Sequence, residues 1–206
     1  MRISKLSASQ RKKGRILVQL ENGDILRVGE SEVVSHGLYA GMELDGAVLS
    51  SLEEAARKRE VRERAMDLLS LRPMSRRELT DKLTAKGADP QAAEEAADWL
   101  EEMGLLDDED YASALVRHYA QKGYGLYRIR QELYRRGVPQ DFWDAAAEEA
   151  PGPEEGILNF LRKKWDPEEL EDPRNRKKAS DALARRGYRW EDISACLRAY
   201  CGAGLE

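Results

Sequence analysis

Cysteine, histidine, aromatic residues and long apolar runs are all scarce in this chain, and each scarcity excludes something. Cys196 and Cys201 are the two cysteines among 206 residues, too few for a disulfide framework. Their C-x4-C spacing on an expected helix reads as reduced, gap-filling thiols of a cytosolic protein. The two histidines, His36 and His118, fall in different segments, and no Cys/His cluster has metal-ligand spacing. Aromatics make up 7% of the chain, less than a β-sandwich core usually takes. A membrane span needs ~20 consecutive apolar residues, and no run approaches that length. The basic stretch Met1–Arg15 lacks an apolar segment and is not expected to be a secretory signal. Lys and Arg total 34 against 39 Asp and Glu, a net charge of −5. This excludes a uniformly basic nucleic-acid coat but leaves room for a local basic face.

What is abundant is charge. At 35%, it exceeds the globular average of about 25% and predicts helices with wide solvated faces. The first fifth of the chain differs. Arg15–Leu20 and Asp24–Val28 are β-prone runs flanking Glu21-Asn22-Gly23, and Asn-Gly is a strong hairpin signal. Ser4–Leu6 is a candidate third strand, and a short helix is expected near Ser31–His36.

From about Leu52 the pattern turns helical and repeats itself. Lys86-Gly87, Arg136-Gly137 and Arg186-Gly187 recur every 50 residues. In the same register stand Leu79/Ile129/Ala179 and Leu83/Leu133/Leu183, four apart, which makes one buried helical stripe. Ser75, Gly125 and Asn175 precede each copy as candidate N-caps, and Ser75-x-x-Glu78 reads as a capping box. The glycine suits a left-handed residue closing the helix. With flanking helices near 52–71, 90–103, 140–150 and around a longer inner loop at 166–173, the reading is mainly α. It comprises three tandem three-helix repeats in an elongated curved array, with a small N-terminal β-hairpin extension. The expected ranges are 1–50 for the extension and 51–104, 105–150 and 151–206 for the repeats.

Charge follows this layout. Asp89–Asp110 holds ten acids and no base, Tyr111–Gly137 carries a net +5, and Arg174–Arg189 a net +6. The run Asp107-Asp108-Glu109-Asp110 suits a helix start, where the macrodipole favours acids. Consecutive helix-start acids do not converge on one ion, so a metal-dependent nuclease is a weak reading. Gly123-Tyr124-Gly125 resembles part of a phosphate loop but follows a helix and lacks the Walker lysine. In the segment 126–136, Leu126, Ile129 and Leu133 form the apolar stripe. Arg128/Arg135 and Tyr127/Tyr134 are pairs seven apart, the arginines facing away from it. Arginine interleaved with tyrosine suits a protein interface or a stacking surface for nucleic acid.

Several stretches then resemble one family. Gly104-Leu105-Leu106-Asp107-Asp108-Glu109-Asp110-Tyr111-Ala112, Lys122-Gly123-Tyr124-Gly125, Arg128-Ile129-Arg130-Gln131-Glu132-Leu133 and Arg136-Gly137-Val138 look like the signature of the RecX regulatory proteins. Ser75–Leu79 with Lys82-Leu83 is similar to that family's first repeat, and Arg186-Gly187-Tyr188 with Glu191-Asp192-Ile193 to its third. The hairpin with Gly37-Leu38, Gly41-Met42 and Leu44 is similar to an N-terminal extension that some members carry. Tyr119 departs from the pattern, standing where relatives often carry a base, and Ala179 replaces a larger residue.

The resemblance implies a cytoplasmic, non-enzymatic regulator, in most members an inhibitor, of RecA filaments on single-stranded DNA. It implies binding along the filament groove, effects on ATP hydrolysis, strand exchange and coprotease activity, and a place in DNA repair, homologous recombination and the SOS response. The partner is the RecA filament, with single-stranded DNA a further contact. A monomer without cofactor, metal, catalytic residue or membrane association is expected. Candidate partner- or DNA-binding residues are Lys122, Arg128, Arg130, Arg135, Arg185 and Arg186. As solvated arginines, Arg128 and Arg135 are expected to be dispensable for stability. The alternative is a helical-repeat protein that binds single-stranded nucleic acid directly through its basic helices.

Overall fold

The computed structural model describes residues 1–10 and 12–202. They form two compact units, the first made of Met1–Arg72 with Leu79–Met103 and the second of Pro73–Glu78 with the chain from Gly104 onward.

The first unit opens with three antiparallel strands in the order β1 (Ile3–Ala8), β2 (Arg15–Leu20) and β3 (Ile25–Gly29). Asn22 builds the β2–β3 turn, its side-chain oxygen accepting from the Asp24 N–H at 3.1 Å, and Gly23 takes φ +93. The third strand that the sequence suggested is therefore present. Val18, Leu20, Val28 and Ile3 are buried on one side of the sheet against Leu38, Leu44 and Leu52. The short α1 (Glu30–Ser35) follows, and the carboxylate of Glu32 accepts from the Gly29 N–H at 2.9 Å.

The long helix α2 runs Gly46–Leu71, beginning earlier than the periodicity placed it. The reason is a cap. Asp45 accepts from the Val48 N–H at 2.7 Å, so Gly46 starts a helix instead of prolonging the turn. Buried Glu63 on α2 gathers Arg15 of β2, Lys12 and Arg59, and so ties the sheet to the helix by charge as well as by apolar packing. The α3 helix spans Arg76–Ala85. The α4 helix (Pro90–Glu102) starts with Asp89 accepting from the Gln91 and Ala92 N–H groups. Its Glu95 pairs with Lys58 of α2 at 3.1 Å.

In the second unit α5 (Asp108–Gln121) is capped by Asp107, which accepts from the N–H groups of Glu109 and Asp110. The acidic run is thus a helix start. Next come α6 (Leu126–Arg135), a 3-10 turn (Gln140–Phe142) leading into α7 (Trp143–Glu148), and α8 (Pro153–Arg162). The inner loop of the third copy contains a 3-10 turn, Glu168–Glu171, which buries Leu170. After it come α9 (Pro173–Arg185) and α10 (Trp190–Gly202).

The six repeat-register positions, Leu79, Leu83, Ile129, Leu133, Ala179 and Leu183, are all 0–1% exposed. Two of the sequence expectations are corrected. Asn175 lies inside α9 and donates to the Glu169 carbonyl, while Asp172 is the cap, because Pro173 pre-sets the first helical turn three residues earlier. Leu126 is 37% exposed, so the buried stripe of α6 is Ile129 and Leu133. Gly87, Gly137 and Gly187 take φ +89, +71 and +89, the left-handed conformation that closes each helix.

Candidate partner-binding face

The α6 helix is held at its start by another repeat. Its first N–H groups have no partner within the helix, and Gly125 offers no side chain to cap them. The third repeat supplies the acceptors. The Gly125 N–H donates to the Arg186 carbonyl at 2.9 Å and the Tyr127 N–H to the Gly187 carbonyl at 3.2 Å. A Cβ at Gly125 would lie 2.3 Å from the Gly187 oxygen, so this crossing of two backbones needs glycine. That accounts for Gly123-Tyr124-Gly125 without a phosphate.

The joint has a counterpart one repeat earlier. Ser75, fully buried, donates its hydroxyl to the Arg136 carbonyl and accepts from the Glu78 N–H at 3.1 Å. Ser75 and Arg136 are 61 residues apart, as are Gly125 and Arg186. In both, the start of one middle helix seats on the Arg-Gly turn of the next repeat. Asp108 reinforces the first joint by accepting from the Arg76 N–H at 2.8 Å.

Arg186 belongs to this framework. Its Nη1 donates to the Lys122 and Gly123 carbonyls at 3.2 and 3.1 Å, and its guanidinium lies over the rings of Phe160 and Tyr124 at 4.7 and 5.4 Å. These contacts pin the second repeat to the third, so Arg186 has a structural role whatever its part in binding. Burial pushes the nearby Tyr188 hydroxyl above its ordinary pKa, and the same cause raises the Cys196 thiol.

Lys122, Arg128 and Arg135, by contrast, come together around Tyr119 and Glu132. Glu132 is 4% exposed, although it lies on the helix that carries the candidate surface. Its Oε2 accepts from Arg135 Nε at 3.0 Å and from Arg135 Nη2 at 2.5 Å. The Tyr119 hydroxyl donates to the same oxygen at 3.3 Å, and Arg128 Nη2 stands 3.4 Å from Oε1. Lys122 places its ammonium 5.7 Å from the centre of the Tyr119 ring. Hydrogen bonding to Glu132, then its charge, holds the Arg135 guanidinium above its ordinary pKa. The arginines are outward-facing as expected, but they are not independent of the fold. Both answer a buried carboxylate, and removing them leaves it with the Tyr119 hydroxyl but no cation. Tyr119, standing where the family resemblance expects a base, turns its hydroxyl to that carboxylate.

Tyr127 and Tyr134 are 68% and 71% exposed on the same helix. Arg130 points elsewhere and pairs with Asp144 of α7 at 2.8 Å. Arg185 is exposed on α9 together with Arg174, Lys177 and Lys178. The structure thus unites three of the six candidates, sets Arg130 and Arg185 apart, and gives Arg186 an internal role.

The segments that carry this geometry match a known family domain by domain. Residues 62–100 match the first three-helix domain of RecX, 107–146 the second and 154–197 the third. Over 137 residues the chain is 39% identical to the regulatory protein RecX of Xanthomonas axonopodis pv. citri (strain 306), covering 66% of this chain and 85% of that protein. The chain belongs to the RecX family.

A second relative, the regulatory protein RecX of Stenotrophomonas maltophilia (strain R551-3), is 38% identical over 148 residues, covering 69% of this chain and 91% of that protein. The fold agrees with a RecX crystal structure at a TM-score of 0.76 and 23% identity, covering 96% of this chain and 98% of that one. It also agrees with RecX from Lactobacillus salivarius at a TM-score of 0.65 and 20% identity, covering 71% and 97%. The Tyr119–Glu132 cluster lies in the second RecX domain, and Arg186 of the third reaches the main chain of that domain at Lys122 and Gly123. Among the described residues no helix is long and apolar enough to cross a membrane.

Proposed function

We propose that this RecX-family chain is a non-enzymatic cytoplasmic regulator, acting as an inhibitor, of RecA filaments assembled on single-stranded DNA. It acts as a monomer and binds along the filament groove, where it slows ATP hydrolysis, strand exchange and coprotease action. That role places it in homologous recombination and the SOS response. The observation that carries the reading is the α6 face. Arg128 and Arg135 pair with one buried carboxylate, Lys122 lies against the Tyr119 ring beside it, and Tyr127 and Tyr134 are exposed on the same helix. Arginine and tyrosine are the residues that most often anchor protein interfaces, and a chain of net charge −5 is poorly suited to coat a polyanion. The test is DNA-dependent ATP hydrolysis by RecA, with and without this protein, together with co-sedimentation. Inhibition and co-sedimentation are expected. Unchanged hydrolysis at stoichiometric amounts, with no protein in the filament pellet, refutes the proposal.

A second reading has its own support in the exposed cations of α9, Arg174, Lys177, Lys178 and Arg185. These suit direct contact with single-stranded nucleic acid. Phosphate contacts make affinity fall steeply with salt. Titration of a labelled oligonucleotide at two salt concentrations, without RecA, separates the two readings.

A further inference from the structure

Glu132 is out of place by the ordinary logic of a basic binding face. Residues Tyr111–Gly137 carry six bases and this one acid, and the acid sits behind the arginines that should meet the partner. An exposed arginine samples many rotamers, and a partner must freeze them on binding. Here the freezing is done within the free protein. Arg135 directs Nε and Nη2 to Glu132. Arg128 directs Nη2 to Glu132 and Nη1 to Gln131. A guanidinium has five N–H donors in a rigid fork, so each keeps donors for an outside acceptor. Their side chains remain 46% and 68% exposed. The result is a pair of oriented, outward-facing guanidinium groups on one helix.

The arrangement also favours one kind of partner. A groove that tracks a phosphate backbone works through uncompensated cations, whose counterion release drives binding. This face instead carries a permanent counter-charge, which weakens long-range attraction to a polyanion while fixing geometry. Fixed geometry suits the bidentate recognition of individual carboxylates, and the flanking exposed tyrosines suit a protein surface.

We propose that Glu132 is the positioning residue of the α6 face, holding Arg128 and Arg135 as a fixed double fork that receives carboxylate side chains of the protein partner. The proposal rests on the reading that this face meets RecA protein. Three roles for Glu132 predict different outcomes. A positioning residue makes binding tighter when present. A residue that merely offsets charge makes binding weaker, so its neutralisation should improve affinity for an acidic surface. A purely structural residue affects stability and leaves the arginine geometry irrelevant.

The test uses the full chain and RecA filaments on single-stranded DNA, with association and dissociation rates measured at two salt concentrations. Glu132→Gln keeps shape and an acceptor oxygen but loses the charge. It should still fold at the assay temperature, associate at least as fast as the parent and dissociate on the order of tenfold faster. Arg128→Lys and Arg135→Lys keep the charge facing Glu132 and lose the fork, so they guard against a folding artefact. Each should also dissociate several-fold faster, with little change in melting temperature. A parent that binds filaments while Glu132→Gln binds as tightly or more tightly overturns the inference and leaves the proposed function standing. Lysine variants indistinguishable from the parent do the same. A parent that does not bind filaments removes both.

Discussion

The three Arg/Lys-Gly turns offer a controlled experiment on the joint between repeats. Gly87 and Gly187 occupy equivalent places with the same φ of +89, but their surroundings differ. A Cβ at Gly87 meets nothing within 4 Å. At Gly187 it would stand 2.4 Å from the Arg128 nitrogen and 3.0 Å from its Cα, which are backbone atoms that cannot rotate aside. Gly87→Ala therefore carries only the left-handed backbone cost, about 1–2 kcal/mol. Gly187→Ala adds overpacking of about 1–3 kcal/mol and the weakened hydrogen bond from Tyr127, about 0.5–1.5 kcal/mol. The expected total is about 2.5–6.5 kcal/mol, a large share of a domain's usual ~5–15 kcal/mol. Gly125→Ala isolates the clash, since φ there is an ordinary −80. Because it strains the same crossing, the double variant should cost less than the sum of the singles. Urea unfolding followed by circular dichroism gives the free energies, and hydrogen exchange of the Gly125 and Tyr127 amides locates the damage. Both amides should exchange faster in Gly187→Ala and be unchanged in Gly87→Ala. If Gly187→Ala costs no more than Gly87→Ala, the close backbone crossing is not a determinant of stability and the reasoning fails.

Other outcomes follow from the packing and the charges. Leu133→Ala should cost about 2–5 kcal/mol in thermal melts through lost burial and a cavity. Arg186→Ala should lower stability by about 1–3 kcal/mol, since it removes two carbonyl hydrogen bonds and two ring contacts. Arg185→Ala should stay within about 0.5 kcal/mol of the parent. The double change Arg128→Ala with Arg135→Ala should lower the melting temperature clearly, because Glu132 is left buried without its cations. Glu32 sets a pH dependence. Burial disfavours its charge, but hydrogen bonds from backbone N–H groups and Ser31, with Arg59 nearby, outweigh this and hold its pKa below the ordinary 4.5. A depressed folded pKa gives stability that is present above 4.5 and fades as pH falls through the lower, folded value. Glu32→Gln should flatten the acid limb of the stability–pH profile measured by urea midpoints.

The legible parts of the sequence were those with local physical signatures. The core stripe at 79/83, 129/133 and 179/183 was readable because the helical period and the closing glycines agreed in three copies. The helix start at Asp107 and the Asn-Gly turn were readable because caps and turns are decided within a few residues. The Asp45 cap was equally local, but it precedes the apolar periodicity, which becomes helical only from about Leu52. Long-range facts were hidden. Glu132 looked like one acid among bases, and its burial depends on Tyr119 arriving from α5. A signal existed, since Glu132 is three residues from Ile129 and next to Leu133, on the edge of the buried stripe. Gly125 was legible as a helix N-cap, but its need for a bare Cα comes from Gly187, 62 residues away. Arg186 could not be separated from Arg185 by composition, because only the fold turns one inward to Tyr124 and Phe160.

The recurring joint bears on how a chain of this kind can change length. Its acceptor is a main-chain carbonyl in the Arg-Gly turn, which almost any substitution of the arginine side chain preserves. Its donor is a hydroxyl at Ser75 and a bare amide at Gly125. Such a joint has a direction, from the start of one middle helix to the turn of the following copy, and it joins unlike surfaces. A tandem duplication of one 50-residue period would bring both halves of a new joint with it. The third copy breaks this grammar. Asn175, at the place of Ser75 and Gly125, turns its amide inward to Glu169, and α9 begins instead at Asp172 and Pro173. At this place in the register the third copy seats on its own inner loop.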